Sequence, residues 1–312
     1  MALTHRKKLV GVWEMNVFKP SYYDAFKCIA GRCKHNCCIG WEIDVDTDTM
    51  MQYMAQTGDF GEKLRESISL EGDCPHFILG ENERCPFLNG DNLCEIIINM
   101  GEDALCQICN DHPRFVNCTD TREEIGLGMC CEEAARLIVT YPEKVRLVGE
   151  NDIEDAIIFG VRDMVFEKLQ NREKTIDARV RDVLDMFNMT FPKKDWDIEF
   201  LKLERLDKAW TSRVMSIRGH GHELKNDWSV SFEQILVYFI YRYMAGGMYD
   251  QRYNERILFA LLSFHMIREI FKRSEETIEE LCEICRMYSS EVEYSEENIS
   301  TLLDLLGKAM GN

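Results

Sequence analysis

Beyond residue 152 apolar positions recur every three or four residues, whereas before it they are clustered and irregular. The later pattern predicts helices near 152–171, 175–188, 197–210, 231–246, 252–272, 275–290 and 296–309. Tyr238-Phe-Ile-Tyr-Arg-Tyr243 is apolar on nearly every side, as a buried core helix is. Arg242 inside it needs a carboxylate partner or a route to solvent. Earlier in the chain, Met50, Met51, Met54, Phe60, Leu64 and Ile68 place one helix over 47–70, broken near Gly58. Trp41, Ile43 and Val45 alternate with polar residues as in a short strand. Asn89-Gly90, set between two apolar segments, predicts a hairpin that brings Cys85 and Cys94 side by side. A short helix opens over Asn99–Asp103, runs through Cys109 and ends by Pro113; another starts at Cys131, with Glu132 and Glu133 complementing its dipole. The chain therefore reads as mainly α. An N-terminal extension (1–14) precedes an irregular cysteine-rich metal-binding part (15–150) with at most a small hairpin. A C-terminal helical bundle (151–312) follows.

The cysteines sharpen that division, since twelve of the 14 fall at or before Cys131. They come as Cys28, Cys33, Cys37 and Cys38; Cys74, Cys85 and Cys94; Cys106, Cys109 and Cys118; and Cys130 with Cys131. Several adjoin turn formers, as in Cys74-Pro75, Cys85-Pro86 and Cys109-Asn-Asp-His-Pro113. Thiolates gathered on turns suit a soft metal or an iron–sulfur cluster, whose ligands must converge on one point. Cys33-x3-Cys37 and Cys106-x2-Cys109 have spacings that zinc also accepts. Cysteine far outnumbers usable histidine, which favours iron–sulfur. Cys282-x2-Cys285 lies alone within an acidic helical stretch. Gly219-His-Gly-His222 reads as a loop, because two ligands do not make a site.

Charge and hydropathy narrow the remaining classes. With 55 acidic against 37 basic residues the net charge is −18, which disfavours nucleic acid and attracts cationic, lysine-bearing partners. The glutamates of 275–297 read as a solvated acidic face. The apolar run Leu9–Trp13 is cut short by Glu14, too early for a secretory signal, and no run reaches the ~20 residues of a membrane span. A cytoplasmic, reducing setting is expected, where thiolates ligate metals rather than form disulfides. No phosphate loop and no G-x-G-x-x-G after a strand is present.

Pro20-Ser-Tyr-Tyr-Asp-Ala-Phe-Lys-Cys28, Cys33-x3-Cys37-Cys38-x-Gly-Trp41, Cys85-Pro-Phe-Leu88, Leu93-Cys94-x-Ile96, Leu105-x3-Cys109-x3-Pro113-Arg114 and Cys131-x-Glu-x-Ala-Arg-Leu137 together resemble the bacterial flagellin lysine N-methylase family. The cysteine pattern is also similar to a wider group of zinc- or iron-chelating domains. The match runs from about 17 to 139. The resemblance implies methyl transfer from S-adenosylmethionine to surface lysines of flagellin, with a four-iron, four-sulfur cluster. Its matching cysteines are Cys28, Cys33, Cys37, Cys38, Cys85, Cys94, Cys109 and Cys131, twice the four a cluster takes. Cys37, Cys38, Cys94 and Cys109 are the favoured ligands, with Cys33 and Cys85 behind them. Cys74, Cys106, Cys118 and Cys130 have no match and read as packing residues. Asp44, Asp46, Tyr22 and Tyr23 are the candidates to take the proton that a lysine of pKa ~10.4 must lose. No adenosylmethionine-binding motif is recognisable. A non-catalytic zinc or iron protein, its cysteines serving folding only, is the alternative.

Overall fold

The computed structural model describes residues 16–119, 122–149 and 157–311, so the expected extension at 1–14 lies outside the described residues. The chain is mainly α, as the periodicity predicts. In order come β1 (Asn16–Pro20), α1 (Thr47–Met54), α2 (Gly58–Glu66), β2 (Ile68–Ser69), β3 (His76–Phe77), α3 (Glu95–Met100), α4 (Gln107–Asp111), β4 (Arg114–Cys118), β5 (Arg122–Leu127), α5 (Glu132–Val139) and β6 (Leu147–Val148). Then follow α6 (Ile157–Leu169), α7 (Ile176–Met186), α8 (Trp196–Phe200), α9 (Lys208–Ser216), α10 (Ser229–Tyr243), α11 (Gly247–Asp250), α12 (Tyr253–Phe271), α13 (Ile278–Tyr288) and α14 (Glu296–Met310). Among the described residues no helix is long and apolar enough to cross a membrane.

Two compact units divide the described residues, with a break between Phe115 and Val116. The smaller unit is Lys27–Phe115. Its core gathers Ile43, Val45, Tyr53, Leu64, Phe77, Phe87 and Ile96, with Cys85 and Cys106 buried among them. The helix expected over 47–70 is broken where Gly58 stands at φ +76°, a value that favours glycine. The expected strand at 41–45 reduces to one bridge, Asp44 to His76, with Ile43 and Val45 turned into the core. Likewise the Asn89-Gly90 hairpin is a tight loop closed by a single Leu88–Cys94 bridge. Asn89 Oδ1 accepts the amides of Asp91 and Leu93, both at 2.9 Å, which holds that loop. The helix expected over 99–109 is two pieces, because Gly101 at φ +91° ends α3 and the chain restarts at Cys106.

Among the described residues the larger unit combines 16–26 with the chain from Val116 onward. It carries a four-stranded sheet in the order β4-β5-β1-β6, more strand than a single hairpin. β1 runs parallel to β5 and antiparallel to β6. Most helices follow the sequence periodicity, and α10 is a buried core helix packed along α12. The expected 197–210 helix is instead α8 and α9. Glu291 accepts the amides of Leu206 and Asp207 at 2.8 and 2.9 Å, and Asp207 caps a fresh helix through Ala209 N.

Three buried carboxylates hold this unit together. Glu124 of β5 takes both terminal nitrogens of Arg162 on α6 at 2.6 Å and Arg122 at 2.5 Å. Arg122 lies over the Phe159 ring, 3.4 Å from its centroid, so the guanidinium is stacked as well as paired. Glu233 of α10 accepts from Arg172 and from Arg179 of α7. Glu293 accepts the Tyr243 hydroxyl at 2.8 Å and the Tyr238 hydroxyl at 3.0 Å, with Arg242 Nε 3.5 Å away. Arg242 therefore has the carboxylate that its place in α10 demands. Glu291 and Glu293 are buried, against the solvated face expected of 275–297, because a π-helical turn at Ser289–Glu293 rotates them inward. Glu276 of the same stretch ties down the loop after Gly219, accepting Lys225 N, Asn226 N and Trp228 Nε1.

Replacing one member of a buried pair strands the other charge. Glu124→Gln is expected to lower unfolding stability by about 3–5 kcal/mol, measured by denaturant titration. Glu275→Gln, on an exposed residue, serves as the near-neutral reference. Equal stability of the two variants would show that Glu124 is not a structural centre.

Candidate metal centre

Six thiols gather at the core of the smaller unit: Cys85 and Cys106 buried within it, Cys38, Cys94 and Cys109 half-buried against it, and Cys37 exposed beside Cys38. Four chain features deliver them. Cys37 and Cys38 follow a turn in which Asn36 Oδ1 accepts the Cys38 amide at 2.9 Å. Cys85 N donates to Cys38 O at 2.8 Å, which fixes the second segment on the first. Cys94 is the residue before α3, whose Ile96 and Ile97 amides favour negative sulfur there, and Cys106 is the residue before α4, where the helix dipole does so. Cys109 lies one turn along α4, its Sγ 3.4 Å from that of Cys106.

The thiols act on one another electrically. A hydrogen bond from Cys38 lowers the Cys37 thiol to about 7, and the same bond pushes Cys38 up. In the second pair, the Cys109 hydrogen bond lowers Cys106, while Cys109 is raised. Burial pushes Cys85 up to about 11 and raises Cys94 too. Negative charge on Cys85 and Cys94 also bears on Cys38, that on Cys106 and Cys37 on Cys94, and that on Cys38 and Cys85 on Cys109. Each of these influences disfavours further ionisation of the set, which a nearby positive charge would relieve. His112 does not provide one: burial, with Arg114 nearby, lowers it to about 4, so it is neutral near pH 7.

Among the described residues, no three His, Cys, Asp or Glu side chains already close on a single point at ligating distance. The donor set nevertheless fits a soft metal or cluster in its chemistry: neighbouring thiols, partly screened from water, in two proton-sharing pairs. Cys106, read from sequence as packing, belongs to this set; its C-x2-C spacing to Cys109 was the signal. Cys33 stands just after a short turn at Ala30–Arg32, half-buried. Cys28 and Cys74 are exposed. Cys131 immediately precedes α5 in the larger unit, where Cys282 and Cys285 are buried in α13.

The four proton-acceptor candidates separate. Asp46 accepts Thr49 N at 3.0 Å, Thr49 Oγ1 at 2.8 Å and Gln107 N at 2.8 Å. Burial pushes its carboxyl up, but the amides of Gln107 and Thr49 outweigh that and hold it below the usual range. Asp46 thus joins the start of α1 to the start of α4, beside Cys106. Tyr22 is buried, and that burial raises its hydroxyl far from ionisation. Tyr23 lies beside Lys19, whose ammonium is 5.8 Å from the ring centroid. Asp44 is exposed, next to Cys74. Tyr22 and Tyr23 belong to the larger unit, and Asp44 and Asp46 to the smaller.

Residues 163–312 match the model of the FliB lysine N-methylase C-terminal domain. The C-terminal part of the chain is therefore similar to that domain. A Lysine-N-methylase of Salmonella typhimurium (strain LT2) is 27% identical over 149 residues, which cover 45% of this chain and 37% of that relative. The Lysine-N-methylase of Salmonella choleraesuis (strain SC-B67) gives the same identity and coverage. Flagellar biosynthetic protein FliU of Salmonella muenchen is 27% identical over 142 residues, 43% of this chain and 83% of its own length. The match thus spans 37% of the length of the two lysine-N-methylases. No solved structure matches the chain. The FliB domain model begins within α6, so it contains the Glu233 and Glu293 centres and none of the six clustered thiols.

Asp46→Ala removes a cap and the tie to Gln107, and is expected to cost about 1–2 kcal/mol. A carboxyl held low when folded stabilises above its unfolded pKa of about 3.9, and that contribution is lost as the pH falls through the folded value. The wild-type minus Asp46→Ala difference should therefore be constant from pH 5 to 7 and shrink in stronger acid. A difference that grows on acidification would contradict the assigned bonds.

Proposed function

We propose that this protein is an S-adenosylmethionine-dependent lysine N-methyltransferase acting on flagellin, and that its smaller unit holds an iron–sulfur cluster. The observation that carries the reading is the FliB lysine N-methylase domain over 163–312. The flagellar name of the FliU relative supports flagellin as the acceptor, and the net charge of −18 suits a lysine-bearing one. Four of Cys37, Cys38, Cys85, Cys94, Cys106 and Cys109 would hold the cluster, which when bound supplies a compact cross-link and a redox-active centre. Zinc in the same thiols is the alternative, and C-x2-C spacing at Cys106 and Cys109 favours it.

The chemistry asks little of the chain beyond placement and proton removal. The lysine must arrive as a neutral amine, since an ammonium has no lone pair. That lone pair forms a bond to the sulfonium methyl carbon; the carbon–sulfur bond breaks, its electrons pass to sulfur, and one amine proton is released. Asp44 and Tyr23 remain candidates to accept that proton, since Asp46 is committed to amides and Tyr22 is buried.

Purified chain, S-adenosylmethionine and flagellin should yield ε-N-methyllysine, detected by peptide mass spectrometry. No methyl transfer by metal-replete protein would contradict the assignment. Cys94→Ser, Cys106→Ser and Cys109→Ser should each lose most bound metal and the activity, because ligands bind as a set. Cys282→Ser, in α13, should keep both. Full metal content in Cys106→Ser would exclude that thiol from the ligand set.

A further inference from the structure

The smaller unit carries an open groove of about 480 Å³ on the face of its short β-ribbon. β3 is the central segment. It pairs with β2 through Ile68–Phe77 and Ser69–His76, and on its other side His76 bridges Asp44 while Phe77 N donates to Ile43 O at 3.0 Å. Side chains alternate across such a ribbon. Ile43, Val45, Ile68 and Phe77 point into the core, 7% exposed or less. That alternation puts Glu42, Asp44, Ser69, His76 and Ile78 on the outer face.

The outer face is both apolar and acidic. Ile78 is 50% exposed, a bare aliphatic side chain in the groove, with Phe77 and Leu79 beside it. Glu42, Asp44, Glu71 and Asp73 are all exposed. Glu42 and Glu71 line the groove itself, and His76 Nε2 lies 3.9 Å from Glu42 Oε2. An apolar floor of Phe77, Ile78 and Leu79 between the carboxylates of Glu42 and Glu71 complements a chain that presents cationic side chains beside apolar ones. It offers no match to an acidic or nucleic-acid ligand.

We propose that this groove docks a lysine-bearing, partly apolar segment of the protein substrate, with Ile78 and Leu79 taking its apolar side chains and Glu42 and Glu71 its ammonium groups. This rests on the lysine-methyltransferase reading and adds to it a recognition surface in which Glu42, Glu71 and Ile78 act by binding alone. Rim carboxylates steer and weakly hold a cationic partner, and salt screens them.

The test uses the full chain and purified flagellin, with binding followed by fluorescence anisotropy and methylation kinetics in parallel. Glu42→Gln/Glu71→Gln should weaken binding about five- to tenfold at low ionic strength and flatten its salt dependence. Ile78→Ser, which keeps the charges, should weaken it about threefold or more at any salt concentration. In both variants KM should rise while kcat holds. The two variants alter exposed side chains by different chemistry, so misfolding of one leaves the other decisive. Unchanged binding and KM in both would overturn the groove while leaving the methyltransferase reading intact. Groove-dependent binding without methyl transfer would do the reverse. Binding that follows self-association of the chain would assign the groove to a second copy and overturn the proposal.

Discussion

Thiols packed together away from water cannot all ionise, and the smaller unit is arranged around that constraint. Its core places Cys85 and Cys106 among Tyr53, Phe77 and Phe87, where sulfur fits as a small apolar group. The same placement brings six thiols under one another's influence, so each thiolate raises the cost of the next. Two pairs respond by sharing a proton, Cys37 with Cys38 and Cys106 with Cys109. A soft cation would answer the remaining demand, since metal binding displaces the protons and joins four segments that otherwise meet through few backbone bonds. Asp46 matters to this arrangement as a brace: it ties α1 to the amide of Gln107, next to Cys106.

In the larger unit the same problem of charge away from water is met by guanidinium groups. Glu124, Glu233 and Glu293 are each 5% exposed or less and each faces arginine. Such pairs contribute less to stability than apolar packing of equal volume would, but they tolerate few alternative partners. Each joins elements far apart in sequence: Glu124 on β5 with α6, Glu233 on α10 with α7, Glu293 on the π-turn with α10. Two of the three fall inside the region that matches the FliB C-terminal domain.

Helices were legible where long stretches are apolar on nearly every side, as in α10 and α12, or on one face, as in α14. The split of 197–210 was not, because it depends on Glu291, a carboxylate 84 residues away from Asp207. Glu293 was hidden for a related reason. It is one of nine glutamates in 275–297, and only the local π-turn decides that it points inward. Among the cysteines, short-range spacing did carry information: Cys106-x2-Cys109 is a close thiol pair. The ribbon at 42–78 was faint, since its strands are two residues long and pair mainly with segments that form single bridges. Asp46 looked like a base by position, yet its sequence context, Asp46-x2-Thr49, is that of a helix cap.

The most direct measurement is iron, acid-labile sulfide and zinc content of the anaerobically purified chain, read with its absorption near ~400 nm, where thiolate-held iron–sulfur clusters absorb. Iron and sulfide in equal amounts, about four of each per chain, with a brown colour, are the expected result. A colourless protein with stoichiometric zinc and no sulfide would contradict the cluster and leave the six thiols as a zinc site.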